Sequence, residues 1–168
     1  NGDGRIDIVG FGNAGAYVSL GQAKGRFSNA VLAVGTYGHD AGGWRVGKHH
    51  RLIGDLNVDG RIDIDGFGLA CADVSLVQGK GRFSNAVLAV GTYGYDAGGW
   101  RVGKHPRLLG DTSNDARMDI VGFGNAGTYV SISGQAIDHN LNIQRFNTSV
   151  LADADADRIL TDASISIR

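Results

Sequence analysis

Asp55-Leu56-Asn57-Val58-Asp59-Gly60-Arg61-Ile62-Asp63 carries oxygen side chains at its first, third, fifth and ninth positions and a glycine at the sixth. A hard cation such as Ca²⁺ takes about six to eight oxygens at short range, from carboxylates, amide oxygens and backbone carbonyls. Asp55, Asn57, Asp59 and Asp63 would supply side-chain oxygens and Arg61 a carbonyl, with Gly60 allowing the sharp turn that brings them together. The run continues as Arg61-Ile62-Asp63-Ile64, whose alternation of polar and apolar residues is a strand signal. The stretch therefore reads as a calcium loop between two β-strands; the alternative is an Asx/Gly turn that holds no metal.

The same pattern occurs three times. Asn57-Val58-Asp59-Gly60-Arg61-Ile62-Asp63-Ile64-Asp65-Gly66-Phe67-Gly68 matches Asn1-Gly2-Asp3-Gly4-Arg5-Ile6-Asp7-Ile8-Val9-Gly10-Phe11-Gly12, and again the run from Ser113 to Gly124. The spacing is 56 residues both times (57 − 1 and 113 − 57), so the 168 residues divide into units 1–56, 57–112 and 113–168. The first two units differ at eleven positions; the third diverges after about residue 134. A long-period repeat is the signature of a stacked or radial architecture. In the first copy Asn1, Asp3 and Asp7 form a partial loop without the leading Asp. In the third, Asp111, Ser113, Asp115 and Asp119 form a degenerate one, with Ala116 in place of the turn glycine, and weak binding or none is expected there.

Within a unit the pattern predicts four short strands: 51–56, 61–66, 72–76 and 85–90. Ile62 and Ile64 share one face; Ala72, Val74 and Leu76 point inward, Asp73 and Ser75 outward; the last strand is apolar enough to be covered on both faces. Glycine-rich segments separate them. Glycine supplies 28 of the 168 residues, about one in six against a typical ~7%, with a single proline. That composition disfavours helices. Four strands in about 50 residues is the pattern of a β-propeller blade. The fold class expected is all-β, a three-blade arc of four-stranded antiparallel sheets in one segment over 1–168. Three blades do not close a ring, for which about four to eight are needed, so the chain reads as a piece of a longer array or as a unit that self-assembles. In the tail, Arg145-Phe146 through Ala152 echoes Arg82-Phe83 through Ala89 and predicts a surviving fourth strand. The acidic run Asp153–Arg158 reads as a solvated turn, and Asn147-Thr148-Ser149 fits a glycosylation pattern but sits on that strand.

The Asp-x-Asn-x-Asp-Gly-x-x-Asp loop followed by Ile-Asp-Gly-Phe-Gly resembles the FG-GAP/VCBS repeat, the calcium-loop blade of integrin-type propellers. It shares the first half of its spacing with an EF-hand loop, without the Glu at position 12 or flanking helices. Gly42-Gly43-Trp44-Arg45-Val46-Gly47-Lys48-His49 and Val9-Gly10-Phe11-Gly12-Asn13-Ala14-Gly15-Ala16-Tyr17-Val18-Ser19-Leu20-Gly21 extend the match, and over residues 1–134 the chain is similar to the fungal integrin-like lectins of the Psathyrella velutina type. The resemblance implies a seven-bladed propeller, calcium in some blades, and recognition of N-acetylglucosamine-type glycans or glycoproteins between neighbouring blades.

A second candidate site is the aromatic loop Tyr37, His39, Asp40, Trp44, Arg45 and His49, repeated as Tyr93, Tyr95, Asp96, Trp100, Arg101 and His105. Sugars present apolar C–H faces to rings and hydroxyls to polar groups, and such a loop offers both. A Trp once per unit also suits a wedge between sheets, and the histidines suit an exposed surface. Other classes find little support. The net charge of −1 does not point to nucleic acid. No signal-peptide pattern and no apolar run long enough for membrane insertion is read within these residues, and none is expected. The lone Cys71, Gly15 and Gly127 in the other copies, reads as drift, not as a catalytic thiol. There is no nucleophile–base pattern, and the Gly-Phe-Gly turns precede no helix, so no enzyme is expected. Identical sites on one body would raise avidity for a dense glycan surface. The expected localisation is extracellular, from the calcium loops. Two functions remain open: a calcium-stabilised lectin segment, or a structural or protein-binding integrin-like segment.

Overall fold

The computed structural model describes residues 1–134 and the backbone of 145–151. In unit 1, β1 (Ile8–Phe11), β2 (Ala16–Ser19) and β5 (Val31–Val34) form a three-stranded antiparallel sheet, with the small hairpin β3 (Gly21–Gln22) and β4 (Arg26–Phe27) between the last two. The second sheet takes β6 (Arg51–Gly54) from the end of unit 1 and β7 (Asp63–Phe67), β8 (Ala72–Ser75) and β11 (Val87–Val90) from unit 2, in that spatial order, and the third sheet likewise borrows its first strand from the end of unit 2. The hairpin β9 (Val77–Gly79) and β10 (Arg82–Phe83) interrupts it before β11. The third sheet is β12 (Arg107–Gly110), β13 (Asp119–Gly124), β14 (Gly127–Gly134) and β15 (Arg145–Leu151). Each sheet is an antiparallel meander, and the four strands expected of the second unit are present within a few residues.

Several details differ from expectation. The Gln78–Gly81 turn closes a hairpin of its own, with Lys80 and Gly81 in left-handed conformations. Leu88 is 59% exposed, so the fourth strand is not covered on both faces: β11 is an edge strand. Ser75 is buried, not outward, because its hydroxyl bonds the Tyr37 phenol of the preceding unit at 2.9 Å. Ile62 lies before β7 and is exposed while Ile64 is fully buried. The fourth strand survives in unit 3, as expected, but with a slipped register. Val74 faces Val87, whereas its counterpart Val130 faces Ser149 and not Val150. β14 and β15 pair without a break from Gly134–Arg145 to Thr128–Leu151, while β8–β11 carries an irregularity between Leu88 and Val90. A one-residue slip exchanges the two faces of a strand. The acidic run 153–158 lies outside the described residues.

The core lies at the junctions between units. One cluster joins Tyr37 and Trp44 of unit 1 to Ile64, Val77 and Phe83 of unit 2. Another joins Tyr93 and Trp100 of unit 2 to Ile120 of unit 3, with Met118 and Tyr129 packed against it. At each junction the aromatic pair of one unit abuts a glycine in the second strand of the next sheet. A methyl group on Gly66 would stand 2.5 Å from the Tyr37 ring and 2.6 Å from Trp44; on Gly122 it would stand 2.6 Å from Trp100 and 2.7 Å from Tyr93. No side chain fits there, which explains the first glycine of the Gly-Phe-Gly motif. The tyrosines hold positive φ (67° and 63°), an uncommon conformation for a bulky residue. They are pinned from the next sheet: Arg51 and Arg107, on its first strand, donate to the carbonyls of Tyr37 and Tyr93 at 3.0 and 3.1 Å, and Ser75 and Ser131 meet their phenols. The backbone crosses the same seam, as Phe67 and Phe123 amides donate to the carbonyls of His50 and Pro106.

Unit 2 carries one internal anomaly. Asp65, a valine in the other units (Val9, Val121), is fully buried with neither oxygen hydrogen-bonded, and Arg107 across the junction is buried with Nε and Nη2 unpartnered. Burial pushes the Asp65 carboxyl up to about 8, with nearby Asp73 adding to the rise and Arg107 opposing it. The folded-state value lies above the unfolded one. The stabilising effect of holding the proton is therefore fullest below about pH 4 and is lost progressively as pH rises to about 8.

Two outcomes follow in unfolding experiments. Gly122→Ala should cost about 1–3 kcal/mol through overpacking, whereas Gly10→Ala, with nothing within 4 Å of its added methyl, should change stability little. Asp65→Val should flatten the fall in melting temperature between pH 5 and 8 that the parent chain shows.

Candidate functional site

The three acidic loops share one internal architecture. Asp55 accepts from the amides of Val58, Asp59 and Gly60 at 2.8, 3.2 and 2.9 Å; Asp111 repeats this on the amides of Asp115 and Ala116. Asn57 accepts from Asp59, as Asn1 does from Asp3. The fifth-position aspartates each accept from the amide two residues on and pair with that residue's guanidinium: Asp3 with Arg5 (3.0 Å), Asp59 with Arg61 (2.8 Å), Asp115 with Arg117 (2.7 Å). The ninth-position aspartates tie the loop to the backbone at or just beyond the end of the strand that pairs with the one following the loop, β2, β8 and β14. Asp7, Asp63 and Asp119 accept from the amides of Gly21, Val77 and Ser133, each at 2.8 Å. The other oxygen of Asp63 takes the Leu56 amide, that of Asp119 takes Thr112 and Ser113, and that of Asp7 the Asn1 ammonium. Burial pushes the Asp63 carboxyl up to about 6.

The oxygen donors are those a hard cation takes. In this structure they turn toward backbone amides and the loop's own arginine, and no group of three or more His, Cys, Asp or Glu is placed to hold a metal among the described residues. The arginine's role as internal counter-charge was not read from the sequence, where Arg61 was valued for its carbonyl. Ala116 keeps the turn: its φ of 69° matches the 74° of Gly60.

The aromatic loops divide into buried and exposed parts. Tyr37 and Tyr93 are fully enclosed, and Trp44 and Trp100 nearly so, at 6% and 5%; ring-rim atoms of each pair abut the glycine across the junction. His49 and His105 are not surface groups but 5% exposed, set edge-on to Trp44 and Trp100. Each Nδ1 accepts the amide of Arg45 or Arg101, which leaves the proton of a neutral ring on Nε2. Burial, together with the cations of Arg51, Lys48 and Arg45, holds the His49 imidazole below its ordinary value. Arg45 and Arg101 bond carbonyls of their own loop, those of His39 and Trp44, and of Tyr95 and Trp100. Asp40 pairs with His39 at 2.6 Å on the exposed surface and not with Arg45. Tyr95 is covered by the Arg101 guanidinium at 3.6 Å and approached by Lys48 of the preceding unit at 4.8 Å. Asp96 is exposed, its amide bonded to the Leu69 carbonyl.

The junction of units 2 and 3 opens into a pocket of about 230 Å³ bounded by Thr92, Trp100 and His105 on one side and Asn125, Ala126 and Tyr129 on the other. His105 Nε2 meets Asn125 Oδ1 at 3.0 Å, and Trp100 and Tyr129 meet edge-to-face at 5.6 Å. Trp100 and His105 belong to the loop singled out in the sequence. Asn125 and Tyr129 do not; the signal available was their position beside the Gly-Phe-Gly turn, which only the packing of consecutive units brings opposite the histidine.

No protein-family model matches the chain, and no curated protein does. Among solved structures the chain is similar to a lectin of Agrocybe aegerita, at 36% identity and a TM-score of 0.78 over 88% of this chain. The work on that lectin concerns its specific recognition of non-reducing terminal N-acetylglucosamine. The chain spans 35% of that protein's length.

Ala116→Gly should stabilise the chain by roughly 0.5–1 kcal/mol, the relief of left-handed strain less the entropy glycine adds to the unfolded state, as read from denaturant midpoints.

Proposed function

We propose that the chain is a carbohydrate-binding segment of a β-propeller, taking N-acetylglucosamine-type glycans in the pocket between consecutive units. The observation that carries this reading is the pocket at the junction of units 2 and 3, in a chain 36% identical to a lectin of that specificity. About 230 Å³ lies below the ~300 Å³ at which drug-sized sites begin and suits a single sugar ring. Asn125, whose Oδ1 takes the His105 Nε2 proton, keeps its NH2 donors and a second Oδ1 lone pair for a hydroxyl or acetamido group, and Trp100 and Tyr129 in the lining supply apolar contact. The site is shaped by the aromatic wedge, so little freedom is lost on binding. Chemistry of bond cleavage has no place in this reading: the pocket holds no pair of acidic groups. The wider arrangement is an FG-GAP/VCBS-type array, the rest of a seven-bladed ring coming from further blades or further copies.

A second reading, a structural or protein-binding integrin-like segment, is favoured by the burial of Trp44 and Trp100, whose indoles serve junction packing. For calcium, the donor types of Asp55, Asn57, Asp59 and Asp63 and the Arg61 carbonyl carry the proposal; an ion there would neutralise the clustered oxygens and add stability by linkage. In this account it is structural and distant from the sugar.

Retention on N-acetylglucosamine beads with elution by the free sugar is the expected outcome, and Asn125→Leu should abolish it without lowering the melting temperature. A stable chain that passes straight through would favour the structural reading. Asp59→Ala should remove the rise in melting temperature on adding calcium; a response identical to the parent's would mean that the loop is a turn alone.

A further inference from the structure

The two junctions share a frame and differ in lining. Trp44 and His49 of unit 1 correspond to Trp100 and His105 of unit 2. Across the seam, however, Leu69 stands for Asn125 and Asp73 for Tyr129. These are among the few positions at which units 1 and 2 differ at all; unit 1 has Asn13 and Tyr17 there.

The consequences are visible in the contacts. His105 Nε2 reaches Asn125, whereas His49 Nε2, 95% buried as a residue, has no partner because a leucine cannot accept. In the junction of units 2 and 3, a methyl group on Gly124 would stand 2.7 Å from the Tyr129 ring and 3.4 Å from Trp100. At the equivalent Gly68 it would stand 3.5 Å from the Asp73 carboxylate and 3.8 Å from Trp44. A short anionic side chain has thus replaced a long aromatic one beside the indole, which changes the charge there. The carboxylate is half-buried, and its side-chain partner is the Cys71 thiol at 3.3 Å, a weak donor. Burial raises its pKa, so a cation seated there would gain from a poorly solvated negative charge.

We propose that the junction of units 1 and 2 is a second glycan site of different specificity, which takes a sugar bearing a free amine, a glucosamine unit, with its ammonium on Asp73. This rests on the reading of the junction of units 2 and 3 as the site for the N-acetylated sugar. Asp73 and Leu69 then decide specificity: the ammonium pairs with the carboxylate, and a sugar hydroxyl accepts from His49 Nε2–H. An acetamido group brings no charge to Asp73 and finds no Asn opposite the histidine.

The test is a titration of the 168-residue chain, followed by NMR, with two disaccharide probes: chitobiose, which carries free amines, and N,N′-diacetylchitobiose. The parent chain should take one equivalent of each. Asp73→Asn, close in shape, should weaken chitobiose about tenfold, the scale of a charge-assisted hydrogen bond, and leave the diacetylated probe unchanged. The Leu69→Asn/Asp73→Tyr chain should take two equivalents of the diacetylated probe. Chitobiose binding that ignores Asp73→Asn, or two equivalents of the diacetylated probe on the parent, would overturn the proposal. Asp73-dependent chitobiose binding without any uptake of the diacetylated probe would instead sink the reading of the other junction and leave this one standing. If neither probe binds, both fall.

Discussion

The contact of a Tyr–Trp pair with a bare glycine in the next unit is the constraint on which the rest of the structure depends. An antiparallel sheet of three or four short strands does not by itself bury enough apolar surface to be stable. Here each unit's aromatic loop reaches out and covers the second strand of its neighbour, and the two hydrophobic clusters both straddle a seam. The glycine lets the rings approach to van der Waals contact; an arginine on the next sheet then fixes the tyrosine carbonyl, and a serine of that sheet fixes its phenol. One side chain is held by packing, charge and hydrogen bond at once, which is how a left-handed tyrosine persists in both copies.

The seam also makes the pocket. The histidine that braces the Trp is buried with it, and the turn after the neighbour's second strand closes the other wall. A cleft bounded by two consecutive units exists only when both are folded and docked, so stability and recognition are coupled. Differences between units are then read out as differences between clefts. Leu69 and Asp73 leave the wedge of the first junction intact while altering what lies beside it, because they sit on the neighbour's turn and not under the rings.

Much of this was legible in the sequence. The 56-residue period, the four strands and the acidic loops follow from spacing, and the all-β class follows from strand alternation and glycine load. The unexpected features arise where one unit meets the next, which no pattern within a unit encodes. Ser75 looked outward because alternation knows two faces, core and solvent, and not a second sheet. His49 and His105 looked exposed for the same reason. Trp44 and Trp100 are open to either role in the sequence, and both are buried at the junctions. The loops carried their own surprise. Arg61 and its copies neutralise the fifth-position aspartates, an interaction invisible to a motif that scores oxygen donors alone. The register slip of β15 is not carried by any residue that could be singled out.

The two tryptophans give a direct probe of the central claim, that a pocket between docked units binds sugar beside a buried indole. Each indole N–H should give one resolved NMR signal, assigned with Trp44→Phe and Trp100→Phe. Addition of N-acetylglucosamine should move the Trp100 signal progressively to saturation while that of Trp44 stays in place. Stationary signals throughout a titration of the folded chain would contradict the account.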